Sequence, residues 1–243
     1  MHPQELDHMS GTPLREAARR MLSADALASL QRDGLVRLRA NFTSQLAEAS
    51  LRFYRSGHCK DGAIGRGRGD KVVWLSLASI PETFPAMTNA FALLMSIVCE
   101  LEERLAEGLF VPLYCQFAAY QGDGVACYPP HRDNSPLPDG LDWLNDRAYT
   151  VLCYLNEGWS AADEGELRIH PHASNGSDGT DGRDGGGAGP YVDVAPALGT
   201  ICIFKSELLH EVRPTRAGRT RLALTMWALS RKGPRGLEDG FEY

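Results

Sequence analysis

From Val111 onward the chain is a succession of short β-type runs with turn residues between them, and no other feature narrows its fold so far. The runs are Val111 to Tyr120, Ala148 to Leu155, Glu166 to His170, Tyr191 to Val194, Thr200 to Phe204 and Arg221 to Ala228. This spacing predicts an antiparallel sandwich or barrel. The first third reads helical instead. Thr12-Pro13 is a cap followed by a proline at the first helical position, and an Ala/Arg/Leu-rich stretch runs to about Arg32, where Asp33-Gly34 ends it. A short strand follows at Leu35 to Leu38, and Thr43 caps a helix through Tyr54. A Gly/Arg-rich loop from Gly57 to Gly69 leads into the strand-like Val72 to Leu75. A long amphipathic helix from about Glu82 to Glu107, closed by Gly108, completes this part.

Residues 173–190 hold seven of the chain's 25 glycines and almost nothing apolar, so they read as a flexible insertion between two strands. A Ca²⁺-binding loop would need a nonapeptide repeat, which is missing. With 43% hydrophobic residues among 243, the composition suits a soluble globular protein with a sizeable core. A formal net charge of -6 argues against a nucleic-acid partner. The longest apolar run, Phe91 to Cys99, is interrupted by Ser96 and is about half the ~20 residues that a membrane span requires. Glu5, Asp7 and the lack of an apolar core near the start argue against a secretory signal, so a cytoplasmic protein is expected. The six cysteines show no zinc-type spacing and read as small buried core residues.

The chemistry is carried by His131-Arg132-Asp133 and by His210, which follows 79 residues after His131. Two imidazoles and one carboxylate occupy one face of an octahedral iron and leave three positions, two for a chelating cosubstrate and one for O₂. An i, i+2 pair at a strand end points both side chains to one face, and His210 must then arrive from a neighbouring strand. Alone, the HxD pair is commonly a surface turn. Arg221 changes that reading, because it opens the strand Leu222 to Trp227 and would place a guanidinium in an apolar barrel, where it needs a carboxylate such as the far end of 2-oxoglutarate. Arg219, two residues earlier and alternating to the same side, is a rival for that role.

These residues resemble the 2-oxoglutarate/Fe(II) dioxygenases, specifically the prolyl hydroxylase domain of the hypoxia-inducible-factor prolyl hydroxylases and their bacterial relatives. The resemblance runs from about Gly67 to Leu229 and is carried by RGDKVVW (68–74), Tyr120 with its Gly-containing turn, YPPHRDN (128–134), TVLCYLNEGW (150–159), GELRIHP (165–171), HEVRP (210–214) and RLALTMW (221–227). It implies an α+β fold with a double-stranded β-helix, a jelly-roll or cupin-like core, at 109–231. Helical support at 1–108 would carry a substrate loop at 67–75, and a tail would follow at 232–243. The resemblance makes His131, Asp133 and His210 the iron ligands and Arg221 the partner of the distal carboxylate of 2-oxoglutarate. Tyr154 would bond that carboxylate, Thr225 would support it, and Tyr120 would lie beside the chelating end. Trp74, Arg147 and Trp227 would shape the substrate pocket, and Arg68 with Asp70 would belong to a mobile loop over a bound peptide. Core positions for both tryptophans and an ordinary turn at Arg68-Gly69-Asp70 are the plainer alternatives.

The implied activity is a prolyl 4-hydroxylase with Fe(II), 2-oxoglutarate and O₂ as cofactor and cosubstrates, ascorbate being a possible reductant. The expected partner is a protein with a target proline, in bacterial relatives a prolyl residue of elongation factor Tu, and oxygen sensing is among the roles so implied. A monomer is expected. The same chemistry on a free amino acid or other small molecule is the alternative, suggested by the enlarged loop after Pro171. A non-catalytic module on this fold would not need all three ligands and the arginine.

Overall fold

The structure, a computed structural model, describes residues 12–62, 67–76, 78–137, 144–171 and 190–230. The expected insertion at 173–190, apart from Pro190, and the tail at 232–243 lie outside the described residues. The N-terminal helical stretch is two helices, α1 (Thr12–Met21) and α2 (Ala24–Asp33), rather than one. Ser23 makes the break, since its hydroxyl accepts from the Ala26 N–H at 3.2 Å and caps the second helix. Gly34 closes α2 in the left-handed region at φ +74°, as the Asp33-Gly34 pair predicts. Then come β1 (Leu35–Arg39) and α3 (Ser44–Arg55).

The long amphipathic helix expected from Glu82 is also interrupted. A short α4 (Ile80–Thr83) and a 3₁₀ turn (Pro85–Met87) precede α5 (Thr88–Leu105), because Pro85 lacks the N–H that a continuous helix would use. Ala106, at φ +53°, caps α5 before Gly108 is reached. Nor is α5 amphipathic over most of its length: Ala90 to Val98 are all buried. Its Glu100 is buried too and takes Arg15 at 3.3 Å and Arg19 at 3.1 Å from α1, which ties the two helices together.

The strands are β2 (Lys60–Asp61), β3 (Asp70–Ser76), β4 (Leu109–Phe110), β5 (Tyr114–Tyr120), β6 (Tyr128–His131), β7 (Arg147–Tyr154), β8 (Leu167–His170), β9 (Val192–Val194), β10 (Thr200–Lys205), β11 (Leu209–Val212) and β12 (Arg221–Ser230). One sheet has the order β1-β10-β7-β12-β5-β3-β2, with β4 pairing β12; the other is β6-β11-β8-β9. The named strand pairs are antiparallel throughout. The six runs expected from the sequence all contain strands. Four short strands, β2, β4, β6 and β11, lie outside the runs read as strands, and β6 contains Pro129-Pro130. Prolines are tolerated there because β6 is an edge strand.

Strand alternation divides the core in two. On β12, Leu222, Leu224, Met226 and Ala228 face the layer that includes α5, whereas Ala223 faces the second sheet. On β7, Val151 and Cys153 face the helices, and Leu152 and Tyr154 face the second sheet. Leu167 and Ile169 of β8 and Val212 of β11 meet them from that sheet. The molecule is therefore an α+β protein with helices on one side of the larger sheet and a sandwich of two antiparallel sheets on the other. Four of the cysteines, Cys59, Cys115, Cys153 and Cys202, are buried core residues, and none of the six is in a disulfide.

Candidate active site

Between the two sheets lies a cavity of about 140 Å³. Its inner wall follows from alternation on β12, which brings Arg221, Ala223, Thr225 and Trp227 to the same face. His131 ends β6, Asp133 follows it by two residues, and His210 comes from β11, where the register sets it directly opposite His131. One donor atom from each of the three lies within 4.8 Å of the others. His131 Nε2 is 3.9 Å from Asp133 Oδ1, and His210 Nε2 is 3.8 Å from Asp133 Oδ2.

The other ring nitrogens face carbonyls: His131 Nδ1 is 2.8 Å from Pro129 O and His210 Nδ1 is 2.9 Å from Leu208 O. A carbonyl only accepts, so Nδ1 donates in both rings and Nε2 is the nitrogen turned toward the cluster. Burial, then the charge of His210, pushes the His131 imidazole down to about 3, so it is neutral near pH 7. Burial alone would raise the Asp133 carboxyl, but His210, His131 and Arg147, with the Thr150 hydroxyl, outweigh it and keep the group ionised. Two imidazole nitrogens and a carboxylate fit an Fe(II) ion with open positions.

At the other end of the cavity Arg221 is 2% exposed. Its Nε donates to Gly165 O at 2.9 Å and its Nη2 to the Tyr154 hydroxyl at 3.3 Å. Among the described residues no carboxylate stands within ion-pair distance of it, so a buried cation waits for an anion. The ring of Tyr120 lies 5.0 Å from the same guanidinium. Burial raises both phenols, and Arg221 acts the opposite way on each, so both remain hydroxyl donors.

Arg219, the rival, turns outward. Its Nη2 donates to Glu157 O at 3.0 Å and to Gly158 O at 3.2 Å, its Nε lies 3.1 Å from Asp163, and its guanidinium covers Trp159. The expected alternation fails because β12 begins only at Arg221, so Arg219 belongs to the preceding turn.

The remaining sequence candidates gather at the same cavity. Trp74 and Trp227 are 5.5 Å apart, and Arg147 covers the Trp227 ring at 4.0 Å. Arg68 holds Asp70 through two bonds of 2.7 and 2.6 Å, and Asp70 is 2% exposed, so its carboxylate faces the arginine and not the solvent. Arg68 covers Tyr128 at 4.2 Å, and Tyr128 stacks on His131 at 3.6 Å. The loop reaches this position because Gly69 donates to Cys127 O, and a Cβ there would stand 2.8 Å from Ala126 Cα. Sequence reasoning overlooked Tyr128, Gln116 and Thr150, which also line the cavity. The period-two signal through Tyr154, Leu152 and Thr150 was available for Thr150.

A three-donor cluster at one end of a jelly-roll cavity and, at the other, a buried guanidinium with no carboxylate partner among the described residues are suited to an iron ion and a 2-oxo dicarboxylate. Residues 115–229 match the family model of the 2OG-Fe(II) oxygenase superfamily. It is similar to a prolyl-4-hydroxylase of Pseudomonas putida, at 27% identity and a TM-score of 0.64, covering 86% of this chain and 98% of that one. It is similar also to a Phytophthora capsici prolyl 4-hydroxylase, at 25% identity and a TM-score of 0.65, over 90% and 67% of the two chains. Its fold is shared with a Trichoplax adhaerens prolyl hydroxylase solved with a hypoxia-inducible-factor peptide, at 22% identity and a TM-score of 0.67, over 96% and 95%. The family uses Fe(II), 2-oxoglutarate and O₂, and the donor set described above suits the metal. No described helix is long and apolar enough to cross a membrane.

Proposed function

We propose that this chain is a prolyl 4-hydroxylase acting on a prolyl residue within a protein. The observation that carries the reading is the placement of Arg221, a buried cation without a carboxylate partner among the described residues, at the far end of the cavity that holds the three-donor cluster. A dicarboxylate with a 2-oxo group has one end for each. The similarity to the Pseudomonas putida enzyme supports proline as the target.

In this reading His131, Asp133 and His210 hold Fe(II), which when loaded with 2-oxoglutarate and O₂ supplies the oxidising power for C–H hydroxylation, with succinate and CO₂ as co-products. The residues of the chain do the rest. Arg221 and the Tyr154 hydroxyl bind the distal carboxylate, and Thr225 lies four residues further along the arginine's strand on the same cavity wall. Tyr120 lines the wall next to the guanidinium. Leu152, Leu167, Phe204 and Val212 make the other walls apolar and keep water away from the reacting carbon. Trp74, Trp227 and Arg147 form the shelf on which the target ring is positioned. The Arg68–Asp70 pair braces the loop at the mouth and, through Tyr128, the His131 ring.

The test is to supply the protein with Fe(II), 2-oxoglutarate and heavy oxygen in an extract of its host and to search the peptides for labelled hydroxyproline. Label that disappears in His210→Ala supports the reading and identifies the partner, elongation factor Tu being the first protein to inspect if the host is bacterial. Succinate formed without any labelled peptide would overturn the protein substrate in favour of a small molecule.

A further inference from the structure

A carboxylate can hold a metal through one oxygen or both, and in this site the choice decides whether O₂ has a place. Two imidazoles and one oxygen take three of six octahedral positions, and a chelating 2-oxo acid takes two more. A second oxygen from Asp133 would fill the last one. Both oxygens are in range, since each lies within 4 Å of a histidine Nε2.

Oδ2, however, is already engaged. It accepts the Thr150 hydroxyl at 2.6 Å and the Trp227 indole N–H at 3.0 Å. Thr150 is 1% exposed and its hydroxyl carries a single proton, which the carboxylate must receive because a carboxylate only accepts. The 3.1 Å contact between Thr150 Oγ1 and Ser206 Oγ therefore has Ser206 as donor. Ser206 is fully buried and fixed by its backbone, which donates to Ala148 O and accepts from Asn134 N, both at 2.9 Å. Among the described residues no hydrogen bond reaches Oδ1, whose nearest cation, Arg147, is 4.0 Å away.

We propose that Ser206, Thr150 and Trp227 form a relay that occupies Asp133 Oδ2, restricts the carboxylate to donation through Oδ1, and so preserves the third open position. Thr150 and Ser206 are positioning residues that act through Asp133. The proposal rests on the reading of His131, Asp133 and His210 as the metal ligands.

Mn(II) is the probe, because water-proton relaxation per bound ion reports how many coordinated waters it carries and needs no turnover. Three waters are expected in the wild-type protein. In a Thr150→Val/Trp227→Phe double variant the freed Oδ2 displaces one, so relaxivity per bound ion falls to about two thirds. Thr150→Ser, which keeps the hydroxyl, retains the wild-type value. A folded, Mn(II)-loaded double variant with wild-type relaxivity would overturn the relay, as would Thr150→Ser behaving like Thr150→Val. If the double variant does not fold, Thr150→Val alone should give an intermediate value, and an unchanged one counts against the relay. Failure of the wild type to bind Mn(II) more tightly than His210→Ala would overturn the ligand reading itself, and the relay with it.

Discussion

The Arg221 guanidinium donates to the Tyr154 hydroxyl at 3.3 Å across adjacent strands, and both side chains are buried at the end of the cavity opposite the three-donor cluster. If this pair receives the distal carboxylate of 2-oxoglutarate, Arg221→Leu should raise the KM for that acid at least about a hundredfold, because two charge-assisted bonds are lost. Tyr154→Phe loses one ordinary hydrogen bond and should cost roughly fivefold. Arg219→Ala, on the outer turn, should leave KM within about twofold of the wild type. Steady-state succinate assays decide it, and a large effect at Arg219 would reverse the assignment.

Metal binding should appear as stability. An ion at about a hundred times its Kd stabilises the folded state by about 2.7 kcal/mol. For a chain of this length that is a melting shift of roughly 5–10 °C. Differential scanning of the protein with Co(II), before and after a chelator, should show the shift come and go. Asp133→Asn and His131→Ala should gain none of it.

The metal-free protein should lose stability in mild acid. Burial and His210 hold the His131 imidazole down at about 3, against about 6.5 in an unfolded chain. A group depressed in the folded state contributes stability above its unfolded value, and that contribution is lost as pH falls from about 6.5 toward 3. Asp133, also held low, adds a loss of the same sign only once pH falls below about 4. Melting curves between pH 6.5 and 5 should therefore slope more steeply for the wild type than for His131→Leu. Parallel curves would show that the imidazole is not held neutral.

Glu100 makes an asymmetric prediction. Its side chain is fully buried, whereas those of Arg15 and Arg19 are 28% and 60% exposed. Removing the carboxylate leaves two arginines that can turn to water. Removing both arginines strands a buried charge, the costlier outcome. Arg15→Ala/Arg19→Ala should therefore melt well below Glu100→Gln, a comparison open to circular dichroism.

Much of the barrel was legible because alternation is local. Leu222 to Trp227 read as an apolar strand, and they lie in β12, with Thr225 and Trp227 turned toward the cavity and Leu224 and Met226 toward the helices. The strand carrying His131 was hidden by Pro129-Pro130, since a proline at a sheet edge and a proline in a loop look alike without the neighbouring strand. The helix from Glu82 was overextended because apolar residues continue through Pro85, where the hydrogen-bond ladder does not.

By itself the sequence determined which residues could do the chemistry: two histidines and a carboxylate, and an arginine opening an apolar strand. The spacing of the strand runs also pointed to an antiparallel sandwich or barrel, and the family resemblance implied the α+β double-stranded β-helix. Only the tertiary structure set Arg221 in the cavity wall and Arg219 on the outer turn, because that depends on where pairing with β5 and β7 begins. It alone placed His210 opposite His131, through a register set 79 residues away in the chain. It also gave Asp133 Oδ2 its two donors from β7 and β12. Such contacts join groups distant in sequence, and cross-strand register, which local propensity does not encode, brings them together.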